Sequence, residues 1–564
     1  MTRPSRRSRS RRAPAQGSSG ARSDEARATP RPFSGGALAI ALLALIVYIP
    51  GLRNGFVYDA EVLVENDPRV HTLENPVSLL GQSYWPFGEE RMALYRPLVT
   101  LSFATDWAMH DGAPWGFHLT NALLHAGVSV LVLLLLSGFA STPAALAGAA
   151  LFAVHPLQVE AVASIVGRGD ILAAGLSFAA LLAWSRLPPR GAALLLTVPT
   201  LFLLALGSKE SAIMLPALLV LFDAATGRLR PGGMRDWTRE RAWPLMALAL
   251  VALAYLAARV TVLGGVAPQS LNPIMAVTPL GATRVRTALQ IWPEILRLLF
   301  LPRVLLADYS PRILMPAVTW TPRALAGLAL LGVSVIGGLY ALVRERGRVG
   351  LILLWVPVAL LPVSNLILPI GVLLAERTLY VAVFALALGV AVAIDALGTG
   401  GRRRHVALIL CGIVCTLFAT RTVLRLPSWR TTDEVFRTLL RDRPDSYRAH
   451  WHHARMAWRD GDLPSALAYY QSTIELWPQA RPVFGEAGMF ATETGQQREA
   501  RSFAEQGLEQ WPDDPALLRR LAVACLNLND TTAARAAVER GLKVVPDDPL
   551  LTAMREAIGV SVPH

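Results

Sequence analysis

Residues 116–138 read GFHLTNALLHAGVSVLVLLLLSG and contain no Asp, Glu, Lys or Arg. About 20 apolar residues cross the hydrocarbon core of a bilayer as one helix, so this stretch is long enough to span a membrane. Ten further apolar stretches of similar character lie between residues 33 and 425: 36–52, 143–164, 169–186, 191–207, 210–225, 243–264, 323–343, 350–370, 375–397 and 404–425. The sequence therefore predicts an all-α, polytopic membrane domain of about eleven transmembrane helices over residues 33–425.

The overall composition supports this interpretation. Hydrophobic residues make up 53% of the 564 residues, charged residues only 17%, and the mean hydropathy is +0.41. These values argue against a fully soluble protein. One more apolar stretch, Thr287–Leu301, is interrupted by Pro293, Glu294 and Arg297. We interpret it as an interfacial or re-entrant segment rather than a twelfth span.

The distribution of basic residues predicts the orientation of the chain. The net charge is +13, and residues 1–32 form an Arg-rich arm that could bind nucleic acid or anionic lipid, or simply be a disordered cytoplasmic tail. The first span, after this arm, is interpreted as an uncleaved signal anchor. Alternation then places four basic loops in the cytoplasm: 186–190, 226–242, 344–349 and 398–403. The C-terminus and the long loop 53–115 are predicted to lie outside.

Residues 426–564 form a second domain with a fixed sequence period. Three sets of residues recur every 34 positions: Pro444, Pro478, Pro512 and Pro546; Ala466, Ala500 and Ala534; Gly461, Gly495 and Asn529. This period is that of the tetratricopeptide repeat (TPR), a helical pair that stacks into a solenoid. Repeats are predicted near 444–477, 478–511 and 512–545, followed by a terminal helix. Such surfaces usually bind peptides or partner proteins.

Two acidic residues stand out in the first outer loop. Asp59 and Glu61 lie in NGFVYDAEVLVENDPRV, directly after the first span, at the expected boundary between membrane and water. A carboxylate beside an enclosed cavity there could act as a general base on an acceptor hydroxyl. The alternative is an ordinary solvated loop acid.

Other charged residues gather in the predicted outward turns. Arg and Lys in such turns suit a phosphate at the membrane surface, although each pair could instead be an interfacial anchor or a structural ion pair. No nucleotide-binding loop, zinc site or nucleophile motif is found, and a divalent metal remains open. The candidate substrate-binding residues are Arg96, His155, Glu160, Arg168, Asp170, Lys209, Glu210, Glu376 and Arg377.

Six strings occur in order: FVYDAEVLVENDPRV, YRPLVTLSFATDW, FHLTNALLHA, LFAVHPLQVEAVASIVGRGDILAA, LGSKESAIMLP and AERTLYV. Together with the repeat tail, they resemble the transmembrane and tetratricopeptide-repeat O-mannosyltransferases, over roughly residues 40–564. The resemblance implies a GT-C type fold and a polyprenyl- or dolichyl-phosphate mannose donor. It also implies inverting transfer on the periplasmic or lumenal face. Asp59 occupies the place of the family's acidic residue, whereas the usual adjacent acid is replaced by Ala60, which leaves the role of Glu61 open.

The resulting hypothesis is an inner-membrane glycosyltransferase with its active site and TPR domain outside the cytoplasm. It would transfer a sugar, expected to be mannose, from a polyprenyl-phosphate donor to Ser or Thr hydroxyls of a protein held by the repeats. Phosphate departure would be assisted by Arg377, Lys209, Arg168 and Arg96, and nucleic acid is not an expected partner. A membrane-anchored TPR scaffold without catalysis is the main alternative. A transporter of lipid-linked sugar is a third, but it would need acids buried within the spans.

Overall fold

The computed structural model describes residues 34–86, 94–265, 281–309, 314–367, 370–398 and 400–560. Within these ranges the chain is helical and contains no strand, which confirms the all-α fold class. The predicted basic arm, residues 1–32, lies outside the described residues. The α-helices are α1 Ser34–Tyr48, α2 Pro97–His110, α3 Pro114–Leu136, α4 Thr142–Val154, α5 Val159–Ala163, α6 Arg168–Arg186, α7 Ala192–Ser208, α8 Leu215–Ala225, α9 Met234–Leu263, α10 Ala282–Leu289, α11 Ile291–Phe300, α12 Pro322–Val343, α13 Gly347–Leu360, α14 Val383–Asp395, α15 Arg402–Arg425, α16 Thr432–Asp442, α17 Tyr447–Arg459, α18 Leu463–Leu476, α19 Arg481–Glu493, α20 Gln497–Gln510, α21 Pro515–Asn527, α22 Thr531–Val544 and α23 Pro549–Val560.

Helical segments overlap each of the predicted membrane spans, but they differ from them in length. In the part of the chain that the structure describes, seven helices are long and apolar enough to cross a bilayer, or eight if one bent pair forms a single span. Ala192–Ser208 and Gly347–Val363 are apolar but shorter. The count of eleven therefore stays a prediction. The stretch Thr287–Leu301 falls within two short helices, α10 and α11, that pack against α12.

The predicted span 143–164 is not one straight helix. It consists of two helical segments, Thr142–Val154 and Pro156–Ala163, which meet at an angle of 44°. The break has a local cause, because Pro156 has no amide hydrogen and its ring disfavours a helical conformation at the preceding residue. His155 is accordingly extended, with φ −65° and ψ 128°. The bend turns the following segment, which carries Glu160, back into the protein.

Several long helices leave much of their apolar surface uncovered. Only 17% of the apolar window of α9 is buried, and the same holds for α12. Leu253 on α9 is 63% exposed and Ile336 on α12 is 71% exposed. Apolar surface of this extent is unfavourable in water. Contact with lipid satisfies it, in agreement with a membrane domain.

The tail forms the predicted solenoid. Helices α17 to α22 form three antiparallel pairs, with α23 as the terminal helix. Gly461, Gly495 and Asn529 have φ values of +79°, +78° and +60° and end the first helix of each pair. This left-handed conformation favours glycine and tolerates asparagine, which explains the recurring residue types. Ala466, Ala500 and Ala534 are fully buried where the paired helices meet.

The solenoid is joined to the membrane domain by packing as well as by the chain. Val435 and Phe436 of α16 and Ala449 of α17 belong to the same continuous apolar core as the membrane helices. The first outer loop adds polar contacts, because Gly55 N–H donates to the carbonyl oxygen of Arg430 at 3.0 Å. The start of the repeat domain therefore lies directly against the loop that carries Asp59.

Candidate active site

Asp59 lies in a turn between α1 and a short π-helical segment, Glu61–Glu65. Its side chain is half-buried, and within the described ranges no hydrogen bond or ion pair reaches its carboxylate. Burial raises the pKa of the Asp59 carboxyl above its usual range, and three guanidinium groups partly offset this rise. In order of influence, these belong to Arg377, Arg448 and Arg96. An accessible carboxylate without a fixed partner is available to accept a proton.

The backbone before Asp59 is unusual. Tyr58 has φ +58°, a left-handed conformation that bulky residues rarely adopt. Its N–H donates to Thr432 Oγ1 at 2.8 Å, and its hydroxyl oxygen accepts a hydrogen bond from Arg448 Nη1 at 3.1 Å. Residues in such conformations persist when their surroundings hold them, and they are common at active sites.

Arg96 lies at the start of α2 and is held by two neighbours. Its Nη2 is 3.0 Å from Glu210 Oε2, and its guanidinium lies 5.3 Å from the centre of the Tyr84 ring. The other oxygen of Glu210 is 3.0 Å from Arg259 Nη1. Glu210 thus joins two cations, one from the outer loop region and one from α9. The hydroxyl of Tyr84 is buried and has no hydrogen-bond partner among the described residues.

Two further ion pairs join the predicted outward turns. Lys209 Nζ lies 2.5 Å from Asp170 Oδ1, and both side chains are more than nine-tenths buried. Arg377 pairs with Glu160 through its guanidinium, and its backbone N–H donates to Glu160 Oε2 at 2.9 Å. Asp59 and Asp170 both influence Arg377 electrostatically. This indicates that the two ion pairs lie close to each other and to Asp59. The structure therefore brings most of the predicted site residues into one charged cluster around Asp59.

Three predicted site residues lie behind this cluster in buried structural positions. Arg168 is fully buried and donates to Asn121, Ser102, Asp106 and the carbonyl of Phe117. The other two are His155 and Glu376.

His155 and Glu376 are also occupied by local contacts. One ring nitrogen of His155 lies 2.9 Å from the carbonyl oxygen of Leu299, and the other accepts from Leu157 N–H at 3.2 Å. Glu376 Oε1 accepts from Tyr309 Oη at 2.9 Å. A direct contact between a lipid-phosphate sugar donor and Arg168, His155 or Glu376 would require existing hydrogen bonds to break. Such contacts stay a prediction.

Glu61 is turned towards the repeat domain. Its Oε1 accepts a hydrogen bond from Thr432 Oγ1, the same hydroxyl that accepts from Tyr58 N–H. The charges that influence Glu61 are Glu65 and Asp433, not the arginines around Asp59. The two acids of the outer loop therefore occupy different environments, and the arrangement favours Asp59 as the base.

A cleft opens next to the charged cluster. It reaches from Asp170 past Ser177 and Thr378 to apolar side chains such as Leu215 and Leu218. A second, mainly apolar cleft adjoins it and shares two residues with it. The second cleft is lined by Ile291, Trp292, Ile295, Leu360, Val363, Ser364, Ile370, Val372, Leu373, Leu374, Ala375, Thr378 and Leu379. The cations that lie close to Asp170, together with the apolar walls of the clefts, suit an amphiphilic molecule with an anionic headgroup.

The described residues do not fit a metal centre. No group of three or more His, Cys, Asp and Glu side chains within those ranges is arranged to hold an ion. Glu61 accepts a hydrogen bond from Thr432, no partner reaches the Asp59 carboxylate within the described ranges, and Asp170, Glu160 and Glu210 are each bound by a cation.

Sequence reasoning missed Arg448, Tyr84 and Arg259. Arg259 had a signal, because it interrupts the apolar run 243–264, where a charge is costly. Tyr84 and Arg448 had none, since Tyr84 lies in a long polar loop and Arg448 is 390 residues from the tyrosine it contacts.

Comparisons with known proteins agree with both parts of the chain. Tetratricopeptide-repeat family models match residues 434–481 and 491–558. A protein O-mannosyl-transferase of Caenorhabditis elegans is 25% identical over 451 residues, which is 78% of this chain and 62% of that protein. Protein O-mannosyl-transferase TMTC4 of Homo sapiens is 27% identical over 77% of this chain and 65% of its own length. Protein O-mannosyl-transferase Tmtc2 of Drosophila melanogaster is 35% identical over 50% of this chain and 31% of its own. The chain thus spans less than two thirds of the length of these curated relatives, all of which are named protein O-mannosyl-transferases.

Proposed function

We propose that this protein transfers mannose from a polyprenyl-phosphate donor to Ser or Thr hydroxyls of a protein on the extracytoplasmic side of the inner membrane. The observation that carries this proposal is the accessible, unpaired carboxylate of Asp59 within a cluster of cations next to an apolar cleft. The names of the relatives, all protein O-mannosyl-transferases, support O-mannosyl transfer. The lipid-linked donor and the orientation are supported by the chemistry of the site and by the basic loops.

The reaction needs one base and a stabilised leaving group. As the acceptor oxygen attacks C1 of the sugar, its proton passes to the Asp59 carboxylate. The bond between C1 and the phosphate oxygen breaks, and polyprenyl phosphate leaves with the bonding electron pair. Attack from the face opposite the phosphate inverts the anomeric carbon. The raised pKa of Asp59 makes its carboxylate a stronger base than an ordinary solvent-exposed one.

The leaving phosphate needs positive charge rather than a proton. Arg377, Arg96 and Lys209 supply it in this proposal. Each is already oriented by a carboxylate: Glu160, Glu210 and Asp170 respectively. Cations fixed in advance need little reorganisation when the charge develops, which is the condition for strong electrostatic stabilisation. The apolar side chains beside Asp170 would face the first isoprene units of the donor.

The repeat domain lies on the side of the acceptor. Helices α16 and α17 pack next to the Asp59 loop, so a polypeptide held by the solenoid starts close to the base. Solenoid surfaces of this kind bind extended segments of other proteins. In this proposal the TPR domain holds the acceptor, and the membrane domain holds the donor.

Purified protein in lipid nanodiscs, with polyprenyl-phosphate mannose and an acceptor extract, tests the proposal. We expect sugar transfer by the wild type and a loss on the order of 100-fold or more in Asp59→Asn. Glu61→Gln decides between the two loop acids and should retain most activity. Glu65→Gln removes an exposed carboxylate from the same loop and serves as the matched control. Absence of transfer from every lipid-phosphate sugar, with the protein folded, would favour the scaffold instead.

A further inference from the structure

Arg448, on α17 of the repeat domain, reaches into the membrane domain. Its Nη1 donates to the Tyr58 hydroxyl oxygen at 3.1 Å and lies 3.7 Å from Asp308 Oδ1. Its Nε donates to the Tyr447 hydroxyl oxygen at 3.2 Å. Burial raises the pKa of Tyr58 to about 12, so this hydroxyl stays neutral and accepts the hydrogen bond from the guanidinium.

Two more residues of the repeat domain contact Tyr58. Thr432, the first residue of α16, accepts the Tyr58 N–H at 2.8 Å. The Phe436 ring meets the Tyr58 ring edge to face, with the centroids 5.6 Å apart. Backbone, ring and hydroxyl of Tyr58 are thus each held by a different side chain of the repeat domain. These contacts come from α16 and α17 only.

The conformation of Tyr58 explains why such contacts matter. A non-glycine residue at φ +58° is strained, and the strain must be offset by the surroundings. Without its partners Tyr58 would relax towards negative φ. Because Asp59 is the next residue, that rotation would swing its carboxylate away from the cations that face it.

We propose that Thr432, Phe436 and Arg448 form a clamp on Tyr58 that positions Asp59, so that the catalytic loop is complete only with the repeat domain in place. Arg448 is the central positioning residue of this clamp. The inference rests on the proposed role of Asp59 for its catalytic consequence, but the clamp itself is a structural feature that can be measured without any substrate.

Arg448 has an electrostatic effect as well. The charged and titratable groups that face Asp59 are Arg377 on the outward turn before α14, Arg96 at the start of α2, Arg448 on α17, and the tyrosines Tyr58 and Tyr84. Removing Arg448 takes away one of three cations that lower the pKa of Asp59. The pKa would rise, and the acidic limb of a pH–rate profile would move to higher pH.

Hydrogen exchange of the full chain in nanodiscs tests the clamp directly. In Arg448→Gln and in Thr432→Val, we expect amides of residues 55–61 to exchange on the order of tenfold faster, because contacts that hold Tyr58 are lost. Thr432→Ser keeps the hydroxyl and should exchange like the wild type. Arg441→Gln makes the same charge change on α16 at an exposed site and should also leave the loop unaltered. Unchanged exchange in Arg448→Gln and Thr432→Val would overturn the proposal.

Transfer kinetics then test the consequence for Asp59. Arg448→Gln should lower kcat on the order of tenfold and shift the acidic limb upward, with donor KM nearly unchanged. Tyr58→Phe should lower kcat without the same shift of the limb, because Arg448 retains its charge. If the wild type transfers no sugar, the proposed function fails while the exchange result still decides on the clamp. Faster exchange with wild-type kcat and limb would refute the positioning role.

Discussion

Replacing Arg168 separates a structural role from a donor-binding role. Its Nε lies 2.8 Å from Asn121 Oδ1, one Nη donates to Ser102, and the other lies 2.5 Å from Asp106 Oδ2 and 3.0 Å from the Phe117 carbonyl oxygen. Lysine has three donors at a single point and cannot reach all of these acceptors. Loss of two hydrogen bonds in a buried site would cost about 2–4 kcal/mol.

Arg168→Met is expected to destabilise the protein more than Arg168→Lys does. It leaves the Asp106 carboxylate, which is only 4% exposed, without its cation. Removing one partner of a buried ion pair costs about 3–5 kcal/mol. Arg168→Met combined with Asp106→Leu should recover part of this loss, because the uncompensated charge is gone.

Thermal unfolding in nanodiscs, followed by tryptophan fluorescence, measures these effects. We expect the Tm to fall in the order wild type, Arg168→Lys, Arg168→Met, with the double variant above Arg168→Met. A wild-type Tm for Arg168→Lys, together with weaker donor binding, would refute this reasoning. Arg168 would then contact the donor phosphate, as the sequence predicts.

Two more variants test packing and charge burial in the membrane domain. A Cβ at Gly327 would lie 1.8 Å from the Leu289 carbonyl oxygen, so Gly327→Ala should destabilise the protein by about 1–3 kcal/mol. Gly332 lies on the same helix with open space around it, so Gly332→Ala should be neutral or slightly stabilising when thermal unfolding is measured in the same way. Lys209→Met should lower the stability by about 3–5 kcal/mol and weaken donor binding, because it leaves the buried Asp170 carboxylate unpaired. The Tm and the dissociation constant of the donor measure these two effects. If neither value changes, Lys209 does not take part in the charged cluster as described.

The repeat architecture could be predicted from sequence because its determinants are local and periodic. The left-handed residues Gly461, Gly495 and Asn529 and the buried Ala466 recur at one step, and each repeat contacts mainly its neighbours. The apolar segments were equally visible, since length and composition define them. The bend at Pro156 was not predicted, although the proline itself was a sufficient signal.

The site was only partly predictable because its contacts are non-local. Sequence reasoning gathered the charged residues of the outward turns but could not decide which would pair. It treated Arg168 as equivalent to Arg377, whereas Arg168 is buried with Asp106 and Arg377 lies beside Asp59. The contact between Tyr58 and Arg448 joins residues 390 positions apart, and no period or motif connects them.

In the proposed mechanism Asp59 is the base of sugar transfer. Its pKa is raised by burial, so the reactive carboxylate form increases as pH rises through that pKa, and the single-turnover rate of mannose transfer should increase with it. The decisive measurement is this pH–rate profile for the wild type and for Asp59→Asn. We expect one acidic limb in the wild type, and in Asp59→Asn a rate reduced about 100-fold or more, without that limb. An Asp59→Asn variant with the wild-type rate and pH profile would exclude Asp59 as the base.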